Sequence, residues 1–380
     1  MTSCRFDNTI DHESTHFTQY HGRIDANDLS TLADAFTRIE QQRQKGNWIV
    51  LMLSYELGYL LEPRSRSGSA WPRTANDQRT PLLSALVFGQ RNRVPELAPI
   101  NVQRRSISSV QPSISRKEYE RDIRKIKRWL MNGDVYQINH TFPLLVRSDQ
   151  SPLSIYRNTL HSHPTRYAAY IDMGEEKILS FSPELFLNKS GPWLHTRPMK
   201  GTSPRHSDPT MDELSRHGLA ASLKNRAENC MIVDLLRNDL GRIATPGSVT
   251  VDRLFEIERY ESIWTMTSTI RAHVGDTSLA NILTALFPCG SVTGAPKIAA
   301  MSRISELEPQ PRGLYCGSIG WLAPNGDMQL NVAIRTLTMN GDEGVYGVGG
   351  GIVMDSDPSE EWQECQWKAR VITTDTQSWQ

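Results

Sequence analysis

At 380 residues the chain exceeds the usual limit of about 250–300 for one growing hydrophobic core, so two subdomains or one large layered domain is expected. Lys plus Arg and Asp plus Glu each number 42, and no long block of one sign occurs, which argues against nucleic acid and anionic membrane as partners. Five scattered cysteines without a C-x-x-C pair, and an N-terminus with no basic stretch before an apolar one, fit a reducing cytoplasm.

In chain order, the first hundred residues are the least legible. Trp48 to Leu53 is expected to be a buried strand, far short of a membrane span, and Glu62 to Gln78, rich in Pro, Arg, Ser and Gly, a loop. Beyond Ser113 the signals sharpen. Ser115 and Glu118 have capping-box spacing, Tyr119, Ile123, Ile126 and Leu130 continue an apolar helical stripe, and Asn132-Gly133 ends it. Val135 to Leu144 alternates, with Tyr136, Ile138, His140 and Phe142 on one face and Gln137, Asn139 and Thr141 on the other, which predicts a strand with one polar face. Lys177 to Asn188 and Trp193 to Lys200 read as strands joined by a turn at Lys189-Ser190-Gly191-Pro192. More strands are expected near Leu314 to Leu322, Met328 to Met339 and Gly344 to Met354. No repeat is visible, and the mixture suggests antiparallel sheet with helices rather than regular β-α alternation.

Several residues are candidates for chemistry. Glu228 shares a helical face with Met231, Ile232 and Leu235, and a carboxylate on an apolar face needs a cation, a metal or a strong donor. A structural salt bridge, with Arg226, Arg237 or a distant residue, satisfies that need as well as a metal does. Asp357, Pro358 and Glu360 mark a helix start, after which Trp362, Cys365, Ala369 and Ile372 form an apolar stripe bordered by Glu361, Glu364 and Lys368. The border residues suit a cleft, although a plain surface Glu-to-Lys pair is the simpler reading. Gly347, Gly349, Gly350 and Gly351 permit either close approach to a ligand or a bulged strand. Gly290 to Lys297 leads into a helix with Pro296 near its first position, a geometry able to present backbone N–H groups to an anion. Lys200, before a Gly-Thr turn, is ordinarily a solvated residue and becomes a nucleophile only if burial or a nearby cation keeps it neutral.

These pieces recur in one family. Gly133 to Asn139, Ser182-Pro-Glu184, Pro198 to Thr202, Lys224 to Asp239, Gly290 to Lys297, Asn331 to Arg335 and Gly349 to Lys368 occur in the family's order. From about Ser115 to Ile372 the chain resembles the chorismate-utilising enzymes, which include anthranilate, aminodeoxychorismate, isochorismate and salicylate synthases. The resemblance implies an α/β fold of two large, mainly antiparallel sheets packed as a sandwich with helices outside. Residues 1–112 would be its N-terminal part and 113–380 the chorismate-binding catalytic region.

The same resemblance implies roles. Glu228 and Glu364, with Glu361 close by, match the carboxylates that hold Mg²⁺ against the ring carboxylate of chorismate. Arg335, Tyr315, Lys368 and the backbone of Gly349, Gly350 and Gly351 match groups that hold the substrate carboxylates. Thr202 and Thr293 match positions beside the ring, and Glu184 the general acid for loss of the 4-hydroxyl. Lys200 stands where aminodeoxychorismate synthases carry lysine and anthranilate synthases a small residue, which implies a covalent lysine intermediate and an amino group at C4. Gln137 replaces the lysine that isochorismate and salicylate synthases use to activate water. Thr265 and Cys289 depart from the family's usual histidine and glycine, and no tryptophan-site motif is found, so feedback by tryptophan is not expected. With no G-x-C-x-G amidotransferase elbow in the chain, ammonia is expected either free or from a separate glutamine amidotransferase subunit. The rivals are an anthranilate synthase component, disfavoured by Lys200, and a non-catalytic regulatory subunit, disfavoured by the presence of Glu184, Glu228 and Glu364.

Overall fold

The computed structural model of the chain describes residues 2–65, 81–100, 107–260, 263–373 and 379. Helix starts follow local chemistry. Ser115 and Glu118 form the expected reciprocal capping box before the helix Arg116–Met131, and Asp357 accepts from the backbone N–H of Ser359 and Glu360 to open Pro358–Ala369. The first of these helices buries Tyr119, Ile123, Ile126 and Trp129, and leaves Leu130 half-buried where the stripe expected it inside. The turn at Lys189 to Pro192 forms as read, pairing Ser190 with Trp193.

Among the described residues, eighteen strands pair in one hydrogen-bonded ladder. One half runs from Gln137–Arg147 through Glu343–Ile352, Thr336–Asn340, Glu176–Ser182 and Tyr167–Asp172 to Ser3–Asn8, antiparallel throughout. The other runs from Glu13–Ala26 through Leu83–Arg93, Trp48–Leu53, Ser318–Leu322, Met328–Asn331, Leu185–Ser190 and Trp193–Arg197 to Ile263–His273, again antiparallel. A hairpin pairing Cys4 with Phe17 and Asn8 with Glu13 joins the halves, so the two large antiparallel sheets are present and share a seam. One apolar cluster draws on both halves through Cys4, Phe17, Val50, Leu86, Ile171 and Ile178. On the opposite face of Trp48–Leu53, Ile49, Leu51 and Leu53 join the cluster containing Leu32, Ala35 and Ile39 of the helix Leu29–Gln44. Trp48–Leu53 is therefore buried on both faces, which is why it reads as an unbroken apolar run. Burying each such side chain contributes about 1.5–3 kcal/mol.

Three strand expectations change. Lys177 to Asn188 is two strands, because the chain leaves one sheet at Ser182 and joins the other at Leu185. Met328 to Met339 is likewise two, crossing back between Asn331 and Thr336. Trp193 to Lys200 divides into Trp193–Arg197 and Met199–Pro204, which pair with different parts of Ile263–His273. The polar face expected for Val135 to Leu144 is not solvated: Gln137, Asn139 and Thr141 are as buried as Ile138 and Phe142. The loop expected at Glu62 to Gln78 starts with a short helical turn at Pro63–Ser65, and residues 66–80 lie outside the described residues.

Candidate active site

The two sheet crossings lie side by side. Ser182 Oγ donates to the Val332 carbonyl over 2.6 Å, Val332 N to the Glu184 carbonyl over 3.0 Å, and Phe181 N to the Arg335 carbonyl over 2.9 Å. Glu184 thus sits in one crossing, just before Leu185, and Arg335 in the other, just before Thr336. Arg335 has a positive φ of 50° and is half-buried near Pro183, Met199 and Tyr260, with no ion pair among the described residues. Beside them, the register between Met199–Pro204 and Ile263–His273 slips between Met199 and Thr202, so Lys200 lies in an irregular stretch of strand. Such irregularities re-aim a side chain out of the regular alternation.

Lys200 is turned inward. Its Nζ donates to the Ser291 carbonyl over 3.0 Å, in the short turn Gly290–Val292. Burial pulls the Lys200 ammonium below its ordinary range, against the opposing charges of Glu184 and Glu228. Burial pushes the Glu184 carboxyl up, partly offset by a hydrogen bond from Ser291 and by Lys200. Both shifts move toward the neutral forms, an amine able to attack and a carboxyl able to donate. Glu184 is 4% exposed, and its Oε1 has no hydrogen-bond partner.

A second wall comes from two helices. On Leu223–Gly241 the buried face is Asn229, Ile232, Val233, Leu236 and Leu240, leaving Met231 and Leu235 half-buried. Glu228 therefore lies at the border of the apolar face rather than on it, a correction of about one residue's rotation. Neither Arg226 nor Arg237 turns inward to pair with it: Arg226 stacks on Phe255 and Arg237 pairs with Asp234. Burial raises the Glu228 carboxyl, with Lys200 and Lys224 opposing and Glu364 adding to the rise.

On Pro358–Ala369, Glu364 does form the plain surface-type pair with Lys368, at 2.6 Å. The pair nevertheless faces a strand, because Lys368 Nζ also donates to the Gly349 carbonyl over 2.7 Å. Lys368, ahead of burial, holds the Glu364 carboxyl below its ordinary range, whereas burial raises Glu361, whose Oε1 accepts from Ser356 Oγ over 2.6 Å. Gly350 makes room for this cluster: a Cβ there would lie 3.2 Å from Glu361 Oε2 and 3.5 Å from Lys368 Nζ. At Gly351 a Cβ would fall 2.0 Å from Gln137 Nε2, so the glycine run is a close-approach device. Among the described residues no three His, Cys, Asp or Glu side chains converge tightly enough to hold an ion alone.

Some expected residues stand apart. Thr202 is exposed, opposite Thr265 on the neighbouring strand. Thr293 is fully buried, and its hydroxyl donates to the Cys289 carbonyl over 2.8 Å within its own turn. Tyr315 packs its ring against Gly347 and is half-buried. The anion cradle expected at Gly290 to Lys297 is also closed. Val292 N and Thr293 N donate to the carbonyls of Cys289 and Gly290, Pro296 caps the helix rather than opening it, and Lys297 pairs with Asp239 at 2.5 Å. Sequence reasoning passed over Ser291, Asn229 and the inward role of Gln137. Gln137 is fully buried with both amide atoms unpartnered, and Asn229 Nδ2 is unpartnered too. Their only signals were a polar face on an otherwise apolar strand and an amide next to Glu228.

Lys200, Glu184 and Glu228 lie within electrostatic reach of one another, with an unpartnered buried oxygen on Glu184, an arrangement suited to a polar ligand. The profile of a family described as chorismate binding enzyme matches residues 3–374. The chain belongs to that family. Its similarity to the aminodeoxychorismate synthase component 1 of Salmonella typhimurium is 41% identity over 268 residues, covering 70% of this chain and 59% of that protein. For the component 1 of Escherichia coli the identity is 42% over 260 residues, covering 68% and 57%. The chain thus spans about three fifths of the length of these relatives. Among solved structures, anthranilate synthase component I from Streptococcus pneumoniae superposes with a TM-score of 0.81 at 25% identity, covering 97% of this chain and 92% of that one. The menaquinone-specific isochorismate synthase of Escherichia coli shares the fold, with a TM-score of 0.77 at 18% identity over 98% of this chain and 88% of that one. The family's fold is common to several reactions, so the site has to distinguish among them.

Proposed function

We propose that this chain is the chorismate-aminating subunit of an aminodeoxychorismate synthase, converting chorismate to 4-amino-4-deoxychorismate with ammonia that is free or delivered by a separate glutamine amidotransferase. Lys200 carries the reading: an amine held inward on Ser291 and biased toward its neutral form by burial, beside the carboxyl of Glu184. Relatives at 41% and 42% identity bear that enzyme's name, which supports it.

The neutral Lys200 amine forms a bond to C2, the ring double bond shifts, and the C4–O bond breaks. Glu184 gives its proton to the departing hydroxyl, which leaves as water, and the Glu184 carboxylate then takes the extra proton from the lysine nitrogen. Ammonia then forms the C4–N bond, the double bonds return, and the C2–N bond breaks as Glu184 returns a proton to the departing Lys200 amine and takes up the extra proton of the new C4 ammonium. Arg335, Tyr315, Lys368 and the backbone of Gly349 to Gly351 are the groups for the substrate carboxylates, with Thr202 and Thr293 flanking the ring. Glu228 and Glu364, with Glu361 near, would hold magnesium. The donor set suits it: hard oxygens from two helices that repel one another, with water and substrate carboxylate completing a shell that protein alone does not fill. Bound there, the ion would place positive charge against the ring carboxylate.

The test is mass spectrometry of the product from chorismate, ammonium and Mg²⁺, with the intact protein mass recorded when ammonium is withheld. A 4-amino product and a Lys200 adduct are expected. Anthranilate as the product of the unaltered chain would overturn the assignment.

A further inference from the structure

The irregular stretch that carries Lys200 is tied in place by a side chain from the neighbouring strand. Met199 pairs with Thr267 and Thr202 with Thr265, so Lys200 and Gly201 together stand opposite Met266 alone. Two residues against one make a bulge, and the extra residue interrupts the backbone ladder. Thr265 is fully buried beside that interruption, and its hydroxyl donates to the Gly201 carbonyl over 3.2 Å. On the other side of the bulge, Ser268 N donates to the Pro198 carbonyl over 3.3 Å. Gly201 has a positive φ of 81°, a conformation that favours glycine, and a Cβ there would lie 2.8 Å from Asn225 Cγ on Leu223–Gly241, the helix that carries Glu228. Gly201 is thus backed by Asn225 and tied by Thr265, and the residue before it extends its amine to the Ser291 carbonyl.

We infer that Thr265 is a positioning residue for the nucleophile: its hydroxyl supplies a cross-strand contact where the bulge breaks the ladder, fixes the peptide that follows Lys200, and so keeps the amine aimed at the place it must attack from. The inference rests on the role proposed above for Lys200. A lysine amine sits at the end of a flexible four-carbon stem, so the direction of its reach depends on how firmly the backbone at its root is held. Bond formation tolerates little error in that reach, since a misplacement of about 1 Å costs on the order of a hundredfold in rate. A tie of this kind acts on the bond-forming step rather than on the affinity for chorismate, and its loss appears in kcat.

Two substitutions divide Thr265 into its parts: Thr265→Val keeps the shape and loses the hydroxyl, whereas Thr265→Ser keeps the hydroxyl and loses the methyl. In Thr265→Val, kcat with saturating ammonium is expected to fall roughly ten- to a hundredfold, with KM for chorismate within about twofold of the unaltered chain. The Lys200 adduct that forms when ammonium is withheld should appear more slowly by the same factor. Thr265→Ser should retain most of the rate. A residue that mattered only for packing would give the reverse order, with Thr265→Ser the slower. That order, a loss confined to KM, or near-normal kcat in folded Thr265→Val would overturn the inference. Should Thr265→Val fail to fold, Thr265→Ala measured against Thr265→Ser isolates the hydroxyl in the same way. Because the tie acts through the lysine, adding Thr265→Val to Lys200→Ala should cost no further rate, and an additional loss of about tenfold would also overturn it. Lys200→Ala by itself separates the two levels of the argument. Normal turnover by that variant would remove the covalent reading and this inference with it, whereas a severe loss there beside an unaffected Thr265→Val removes the inference alone.

Discussion

Two groups of buried charge invite comparison, one around Arg312 and the other around Lys200. The Arg312 side chain is 2% exposed and Glu308 7%, and the two are joined bidentately at 2.7 and 2.8 Å. Two further guanidinium protons go to the carbonyls of Val292 and Asn139, and its face lies 4.3 Å from the centre of the Tyr55 ring. Glu308 also accepts from the Thr141 backbone and hydroxyl. Burial alone would raise Glu308, yet Arg312, with a smaller contribution from His140, holds it down at about 2. Around Lys200 burial outweighs the opposing charges: the ammonium moves down, Glu184 and Glu228 move up, and Glu184 Oε1 lacks a partner. A matched cluster favours its charged forms and stays fixed, whereas one in which burial outweighs pairing shifts its groups toward their neutral forms. The first also braces the second, since Arg312 holds the turn containing Ser291.

The comparison is broken most directly at Lys200. Lys200→Ala should reduce formation of the 4-amino product on the order of a thousandfold or more while leaving the thermal midpoint in place, and turnover near that of the unaltered chain would show the lysine to be a bystander. Arg312→Ala should act the other way round, as a folding defect. Stranding Glu308 without its partner is expected to cost about 3–5 kcal/mol in denaturant unfolding, and a loss below about 1 kcal/mol would mean the pair is not the brace described.

The pH dependence of stability sharpens the contrast. Because the Glu308 pKa is lowered from 4.5 to about 2 on folding, its contribution is present above pH 4.5 and is lost as pH falls toward 2. That linkage is on the order of 3 kcal/mol, so Glu308→Gln should flatten the acid limb of a stability-against-pH curve, and an unchanged limb would remove Glu308 from the account. The smallest effect belongs to the cleft. Glu228→Gln removes a carboxylate whose burial outweighs its neighbouring cations, so unfolding free energy should shift by no more than about 1 kcal/mol, in the stabilising direction, while chorismate turnover is lost. A destabilisation as large as that of Arg312→Ala would make Glu228 a structural ion.

Local chemistry made parts of this molecule legible without a structure. The capping box of Ser115 with Glu118, the Asp357-Pro358 helix start, the turn at Lys189 to Pro192 and the buried run Trp48 to Leu53 depend on groups within a few residues of one another, so the sequence states them directly. Glu184, Lys200, Glu228 and Glu364 were recognisable as a set from motif order, and in the fold Lys200 lies within electrostatic reach of the three carboxylates. What tertiary structure alone decided is which of these residues are buried and against what. Whether Glu228 is inside depended on a rotation of its helix, and the division of Lys177 to Asn188 depended on the chain changing sheets at Glu184. Lys200 reads as a solvated lysine because nothing near it in the chain says otherwise. Its partner Ser291 lies 91 residues away, and burial, the term that shifts its proton affinity, belongs to the packed sheets rather than to any local pattern.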